Sequence, residues 1–447
     1  MFIGNPDYRF SAEKIEERKR HVLAFPNQKS DGSFTPHSTI VEVAVFRRGS
    51  VEAALQAGNL MNVRQDIQVL CHEMTHWFDF FGTRWGRNYA IAICKALRAM
   101  ERRREDGFPD IVSLFDLDRR VLLPAYYQHT RPPRSLHGLT RPWSIEFSAG
   151  MEIDPKGQLD SRLPLLFVKF GEHDTKETFA RQPISVGALL EARATSSELN
   201  EAIRAIHSEP DENVRRVELV GLEREFASLV YDHRLIEYNA AAHIVAFHAR
   251  TTEVALTYRL AAALALVALN MSEQDFNLLR PPKEFAILKD GNRVFRRNQD
   301  RGYAFACLVW NAGQYDGDEA AYVARSLVQS NLDDEQTILA RAAASLEQPL
   351  RLADVNPSME RFIKESEAGG AICAEYARQV ERVVTLDMLS GPFRDIAPPF
   401  IDGTGEFFEL RDGRIEQFQA DERHEAAHAL RDYTNNLLAG CRGLRME

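Results

Sequence analysis

Apolar positions recur along this chain at three spacings, and each spacing predicts a different element. Between residues 11 and 24 they alternate with charges at helical spacing after Ser11, which reads as a solvated amphipathic helix. The stretch 38–46 (Ser-Thr-Ile-Val-Glu-Val-Ala-Val-Phe) is rich in β-branched residues and reads as a strand. Helices are expected at about 50–57, at 63–81 with a stop at Gly82, and at 88–103. Trp143 to Phe147 alternates apolar and polar, and Leu163 to Phe170 is almost continuously apolar. Asp154-Pro155-Lys156-Gly157 lies between them, so an antiparallel hairpin with a long loop is predicted. From Ser185 to about Val384 the pattern is helical, apart from a Pro- and Gly-containing patch at 281–302. The tail adds a small hairpin at 407–415, turning at Asp412-Gly413, and a last helix at 419–438. The fold class is therefore α+β. A boundary near residue 200 would divide a mixed half, 1–200, from a mainly helical half, 201–447. There is no internal repeat.

Composition narrows the classes. The chain has 447 residues, 45% hydrophobic and 27% charged, with a net charge of −10. That balance suits a globular protein and argues against nucleic acid as a partner. The basic clusters at 17–20 and 102–104 are flanked by acids and read as solvated helix faces. The most apolar run, Leu256 to Met271, is too short to span a bilayer and contains Arg259, so a buried helix is expected and no membrane role. The five cysteines are scattered and form no Cys-x-x-Cys pair, the usage of a reducing compartment, and no secretory leader is evident. A cytoplasmic location is expected.

One segment carries chemistry. His72-Glu73-Met74-Thr75-His76 lies inside the helix expected at 63–81. Residues four apart project from nearly one helix face, so both imidazoles can reach one ion. Zinc suits imidazole ligands and leaves a position for water in catalytic sites. Glu73 can then take a proton from that water, whose pKa the ion lowers. Ile67, Val69, Leu70, Trp77, Phe78 and Phe81 make the helix apolar, a setting in which two histidines and a glutamate need a reason to be present.

On these residues the segment resembles the zincin metallopeptidases, whose active-site helix carries His-Glu-x-x-His. The resemblance implies zinc bound by His72 and His76, Glu73 as general base, and hydrolysis of a protein or peptide. It also implies a small sheet beside the helix, for which the strand at 38–46 and the hairpin at 143–170 are suited. The first half would then be a zincin-like catalytic domain and the helical half a completing or partner-binding module. The extended metzincin form is absent, since position 79 is Asp and position 82 is Gly.

A third ligand is needed, and Glu191 is the first choice. Gly187, Ala188 and Ala194 share its helix face, and a carboxylate buried among small residues would want a cation. The segment also looks like the second helix of gluzincins, although Thr195 stands where that family has Asp. Arg193 is the alternative partner for Glu191. Glu146 is expected on a solvated strand face, Glu198 in a Thr195-x-x-Glu198 capping box, and Asp79 as a carboxylate orienting His76. Around Glu237, the residues His233, Tyr238, His243 and His248 could donate to a developing oxyanion, as a His or Tyr does in gluzincins; Tyr238 and His243 are the named candidates. A second His-Glu-x-x-His, His424 to His428, has polar flanks and reads as a surface coincidence. The competing function is a helical binding or scaffold protein with a structural or degenerate metal site.

Overall fold

The computed structural model describes residues 32–417 together with Thr434, except for 35, 37–38, 103–106, 122, 124–126, 135–141, 154–157, 351–359, 380–381, 390–392, 394–397 and 412–413. The helix expected at 11–24, the last helix and the second His-Glu-x-x-His lie outside the described residues. The architecture is mixed α+β with two small sheets. The strands are β1 (Gly32–Phe34), β2 (Val41–Val43), β3 (His129–Thr130), β4 (Ser144–Ile153), β5 (Leu159–Gly171), β6 (Thr178–Pro183), β7 (Phe400–Asp402), β8 (Phe407–Arg411) and β9 (Arg414–Gln417). The helices are α1 (Arg48–Ala57), α2 (Arg64–Gly82), α3 (Arg84–Arg102), α4 (Phe108–Val121), α5 (Val186–His207), α6 (Glu212–Val230), α7 (Ile236–Ala249) and α8 (Val254–Asn270). They continue with α9 (Glu273–Leu278), α10 (Gly291–Arg297), α11 (Arg301–Ala312), α12 (Glu319–Gln329), α13 (Glu335–Leu346), α14 (Glu360–Glu367) and α15 (Gly369–Arg378).

The expected hairpin is present: β4 pairs antiparallel with β5, Ser144 opposite Gly171, within a sheet of order β3-β6-β5-β4. The strand expected at 38–46 is shorter and belongs to a second sheet, β1-β2-β7-β8-β9. There β2 runs parallel to β7, so Val41–Val43 hydrogen-bonds with Phe400–Asp402 from the far end of the chain. The tail hairpin is likewise part of this sheet.

Two large apolar cores form among the described residues, and neither respects a boundary at residue 200. One gathers the β4–β6 face, α5, α7, α8 and α11. The other gathers β1, β2, α2 and α3 with Leu190, Leu266, Leu339, Ile372 and Phe408. Helix α5 lines both cores and lies along α2, because Gly187 and Ala194 keep the face around Glu191 thin. Among the described residues no single helix is long and apolar enough to cross a membrane, and α8 is buried almost throughout, as its sequence suggests.

Helix α2 ends at Gly82 as expected, but for a different reason. Its φ is not left-handed, and Thr83 continues in an extended conformation. A Cβ at Gly82 would stand 2.3 Å from Ile372 Cγ2, so the glycine lets α15 close on α2. Thr83 then turns the chain: its hydroxyl donates to the Asp79 carbonyl at 2.7 Å and accepts from Gly86 N–H at 3.1 Å.

Candidate metal centre

Helix α2 is apolar on nearly all sides, with Trp77, Phe78, Phe80 and Phe81 buried. Burying each aromatic side chain contributes about 2–3 kcal/mol, comparable with the several kcal/mol that each buried ionisable group costs. That balance lets the same helix carry Glu73 and His76 inside the protein, where they are 4% and 1% exposed. His72, one turn earlier, is 19% exposed and marks the side from which the centre is reached.

Opposite them, α5 starts at Ser185, whose hydroxyl caps the Ala188 N–H at 3.3 Å. Its thin face brings Glu191, 3% exposed, between the two imidazoles. Glu191 Oε2 lies 3.4 Å from His72 Nε2, and Oε1 lies 3.5 Å from His76 Nε2. The ligand atoms of His72, His76 and Glu191 fall within 4.8 Å of one another, so this triad could hold a metal ion. Glu73 Oε2 and Glu191 Oε1 are buried without a hydrogen bond of good geometry. Strand β1 passes over Glu73 at a glycine: a Cβ at Gly32 would stand 2.7 Å from Glu73 Cγ.

Electrostatics tie the group together. Burial raises the Glu73 carboxyl above the usual range, partly offset by the two histidines. Burial would also raise Glu191, but His72 and His76 hold it at about 2. Burial works against a charge on His72, yet hydrogen bonding and attraction from Glu191, then Glu198, raise its pKa well above the ordinary value.

Glu198 is placed differently from the expectation. Thr195 is not a cap, since α5 begins nine residues earlier, at Val186. Glu198 instead lies two turns beyond Glu191 and faces His72: its Oε2 accepts from Nδ1 at 3.1 Å, and its Oε1 accepts from Gln68 Nε2 at 3.4 Å. A carboxylate on the second imidazole nitrogen fixes the tautomer that leaves Nε2 free to bind a metal. The i+7 spacing from Glu191 and the i−4 spacing of Gln68 from His72 are the sequence signals that could have found this pair.

Asp79 does not orient His76. It is fully buried against Arg193, Nε to Oδ2 at 2.7 Å, and accepts from the Tyr376 hydroxyl at 2.8 Å. Arg193 consequently partners Asp79 and not Glu191. Glu146 is exposed on β4 opposite Lys169, as its alternation suggests.

Of the oxyanion candidates, Tyr238 lies within electrostatic reach of Glu191. Burial, then the negative Glu237 and Glu191, push its phenol pKa upward. His243 is a correction. It stacks on Trp143 with centroids 4.4 Å apart, beside Phe170 and Tyr231, and Nε2–H donates to the Val230 carbonyl at 2.7 Å. Helical periodicity placed it on α7 but could not say that its face meets an aromatic box. His248 packs against Trp310, and His233 lies beside Asp232.

The two packed histidines give a pH prediction. Burial depresses His243 to about 4 and His248 to about 3. The unfolded chain takes up protons near 6.5, whereas the folded chain resists them to much lower pH. Their contribution is thus complete above about pH 6.5 and lost as pH falls toward 4. Between pH 7 and pH 5 each should weaken stability by about 2 kcal/mol. In urea unfolding, His243→Phe should lower stability at pH 7 yet flatten this acid decline. An unchanged decline would refute the assignment.

Comparison with protein-family models, with curated proteins and with solved structures finds no match for this chain.

Proposed function

We propose that this protein is a zinc-dependent hydrolase acting on peptide bonds, with His72, His76 and Glu191 holding the metal and Glu73 as general base. The observation that carries the reading is the convergence of Glu191 on both Nε2 atoms, at 3.4 and 3.5 Å. Two ligands about 2.1 Å from a tetrahedral zinc ion stand roughly 3.4 Å apart, so the donor set and its spacing fit the ion. Glu73 Oε2, buried and without a hydrogen bond, supports the fit, since a free carboxylate oxygen beside the triad is what proton abstraction needs.

A zinc ion bound there would lower the pKa of its water toward ~7 and polarise a carbonyl. Glu73 Oε2 takes the proton of the attacking water and passes it to the leaving amine nitrogen. Glu198 holds His72 through Nδ1, and Tyr238 is the candidate donor to the oxyanion. The α2–α5 pair with a small sheet against α2 is similar to the zincin arrangement, and Glu191 on a second helix to that of gluzincins. Thr195 in place of that family's Asp is a departure, and Glu198, one turn further on, is the carboxylate that meets His72.

Metal analysis tests the reading. Protein incubated with zinc and desalted should retain about one zinc ion per chain, and His72→Ala/His76→Ala should retain none while keeping its helical circular dichroism. The loaded wild-type protein should cleave members of a fluorogenic peptide library. A chain that retains no metal would leave the helical binding or scaffold protein as the better reading.

A further inference from the structure

Glu237 stands at the first turn of α7, half-buried, and α7 packs against α5, the helix that carries Glu191. It is near enough to Glu191 for the two carboxylates to repel. Among the described residues its one hydrogen bond comes from a neutral group: Gln128 Nε2, one residue before β3, donates to Oε1 at 2.8 Å. The positive groups nearby are committed elsewhere. Arg234 grips Asp232 through Nε and a terminal nitrogen at 3.0 and 2.5 Å, and His233 lies 3.8 Å from the same carboxylate. Arg131 pairs with Glu177 at 2.7 Å, and Arg181 lies over the Phe167 ring. Among the described residues no cation lies within ion-pair distance of Glu237.

A carboxylate in this position has an unmet demand. Removed from water and given no cation, it is costly to ionise, and burial with repulsion from Glu191 pushes its pKa up to about 7. A metal on His72, His76 and Glu191 would offset Glu191, but Glu237 is outside the triad and keeps its second oxygen for another partner. Tyr238 follows it in sequence and feels both Glu237 and Glu191. A fixed negative group beside a hydrolytic centre selects substrates that bring a positive one.

We infer that Glu237, held by Gln128, is the counter-ion for a primary ammonium group on the substrate, either the α-ammonium of a peptide N-terminus or a lysine side chain. This rests on the reading of His72, His76 and Glu191 as a hydrolytic zinc centre, because the ammonium would belong to the substrate cleaved there. It turns a general peptidase into one selective for amine-bearing ends or lysine. Gln128 fixes the carboxylate's orientation, so it acts as a positioning residue for Glu237.

Binding of hydroxamate probes to the zinc-loaded protein, followed by calorimetry, tests this without relying on turnover. Leucine hydroxamate carries an α-ammonium, N-acetylleucine hydroxamate carries none, and Nα-acetyllysine hydroxamate carries only a side-chain ammonium. One of the two charged probes should bind the wild-type protein at least about tenfold more tightly than the neutral probe, and the one that does identifies the source of the charge. Glu237→Gln should bring that ratio to about one with zinc content and neutral-probe affinity unchanged. Equal affinity of the wild-type protein for all three, or a preference that survives Glu237→Gln, overturns the inference. Leucinamide and N-acetylleucinamide, which lack a metal-binding group, repeat the comparison on metal-free protein, with Nα-acetyllysinamide for the side-chain case. A charge preference there that Glu237→Gln removes upholds the counter-ion even if the protein holds no zinc, so the two readings fail separately.

Discussion

Zinc-loaded Glu73→Gln should retain its metal and lose peptide hydrolysis by about a thousandfold, the scale of a positioned general base. The substitution keeps the shape of the side chain, and Glu73 is not among the three groups that could hold a metal ion. It removes the one function that the proposed chemistry asks of Oε2, a place for the proton of the attacking water. That oxygen has no hydrogen bond to lose. The new amide N–H₂ would be buried without an acceptor, at a cost of about 1–3 kcal/mol in stability, so activity must be compared at a temperature where both proteins are folded. Strand β1 bears on the result as well, since Gly32 leaves no slack around Glu73 Cγ. Wild-type turnover by the zinc-loaded variant would eliminate Glu73 as base and with it the proposed mechanism.

The parts of this molecule that were legible in the sequence are those whose signals are local. The His72–His76 helix was legible because two imidazoles at i, i+4 within an apolar run violate ordinary core composition. Glu191 was legible because its helix face is otherwise Gly and Ala, and a thin face implies a close neighbour. The β4–β5 hairpin followed from alternation on both sides of a turn. What stayed hidden depends on contacts across long stretches of chain. The parallel pairing of Val41–Val43 with Phe400–Asp402 leaves no mark in either segment. Glu198 was misread because Thr-x-x-Glu fits a local capping box, whereas the cap of α5 is Ser185. Asp79 shares a face with His76, which suggested His76 as its partner. The nearer charge came from Arg193, supplied by another helix.

That buried pair should also be the largest stability determinant near the centre. Asp79 and Arg193 are 0% and 1% exposed, and they join α2 to α5 directly. Arg193 also lies over the Tyr376 ring at 4.5 Å and reaches the carbonyls of Arg382 at 3.3 Å and Ala262 at 3.5 Å. Removing one charge leaves the other buried and uncompensated, so Asp79→Leu should cost about 3–5 kcal/mol in urea unfolding. Removing both should cost less than that single change, because no isolated charge remains. Tyr376→Phe, which forfeits one hydrogen bond to Asp79, should cost about 1–2 kcal/mol. A double variant less stable than Asp79→Leu, or a single variant within 1 kcal/mol of wild type, would show that the pair does not anchor the two helices. The consequence extends to the metal triad. Asp79 follows His76 by three residues on α2 and Arg193 follows Glu191 by two on α5, so the ion pair is placed where it would set the register in which Glu191 meets both imidazoles. Zinc affinity of the folded double variant should therefore fall even where its stability recovers. An unaltered affinity would mean that the thin face of α5 alone sets that register.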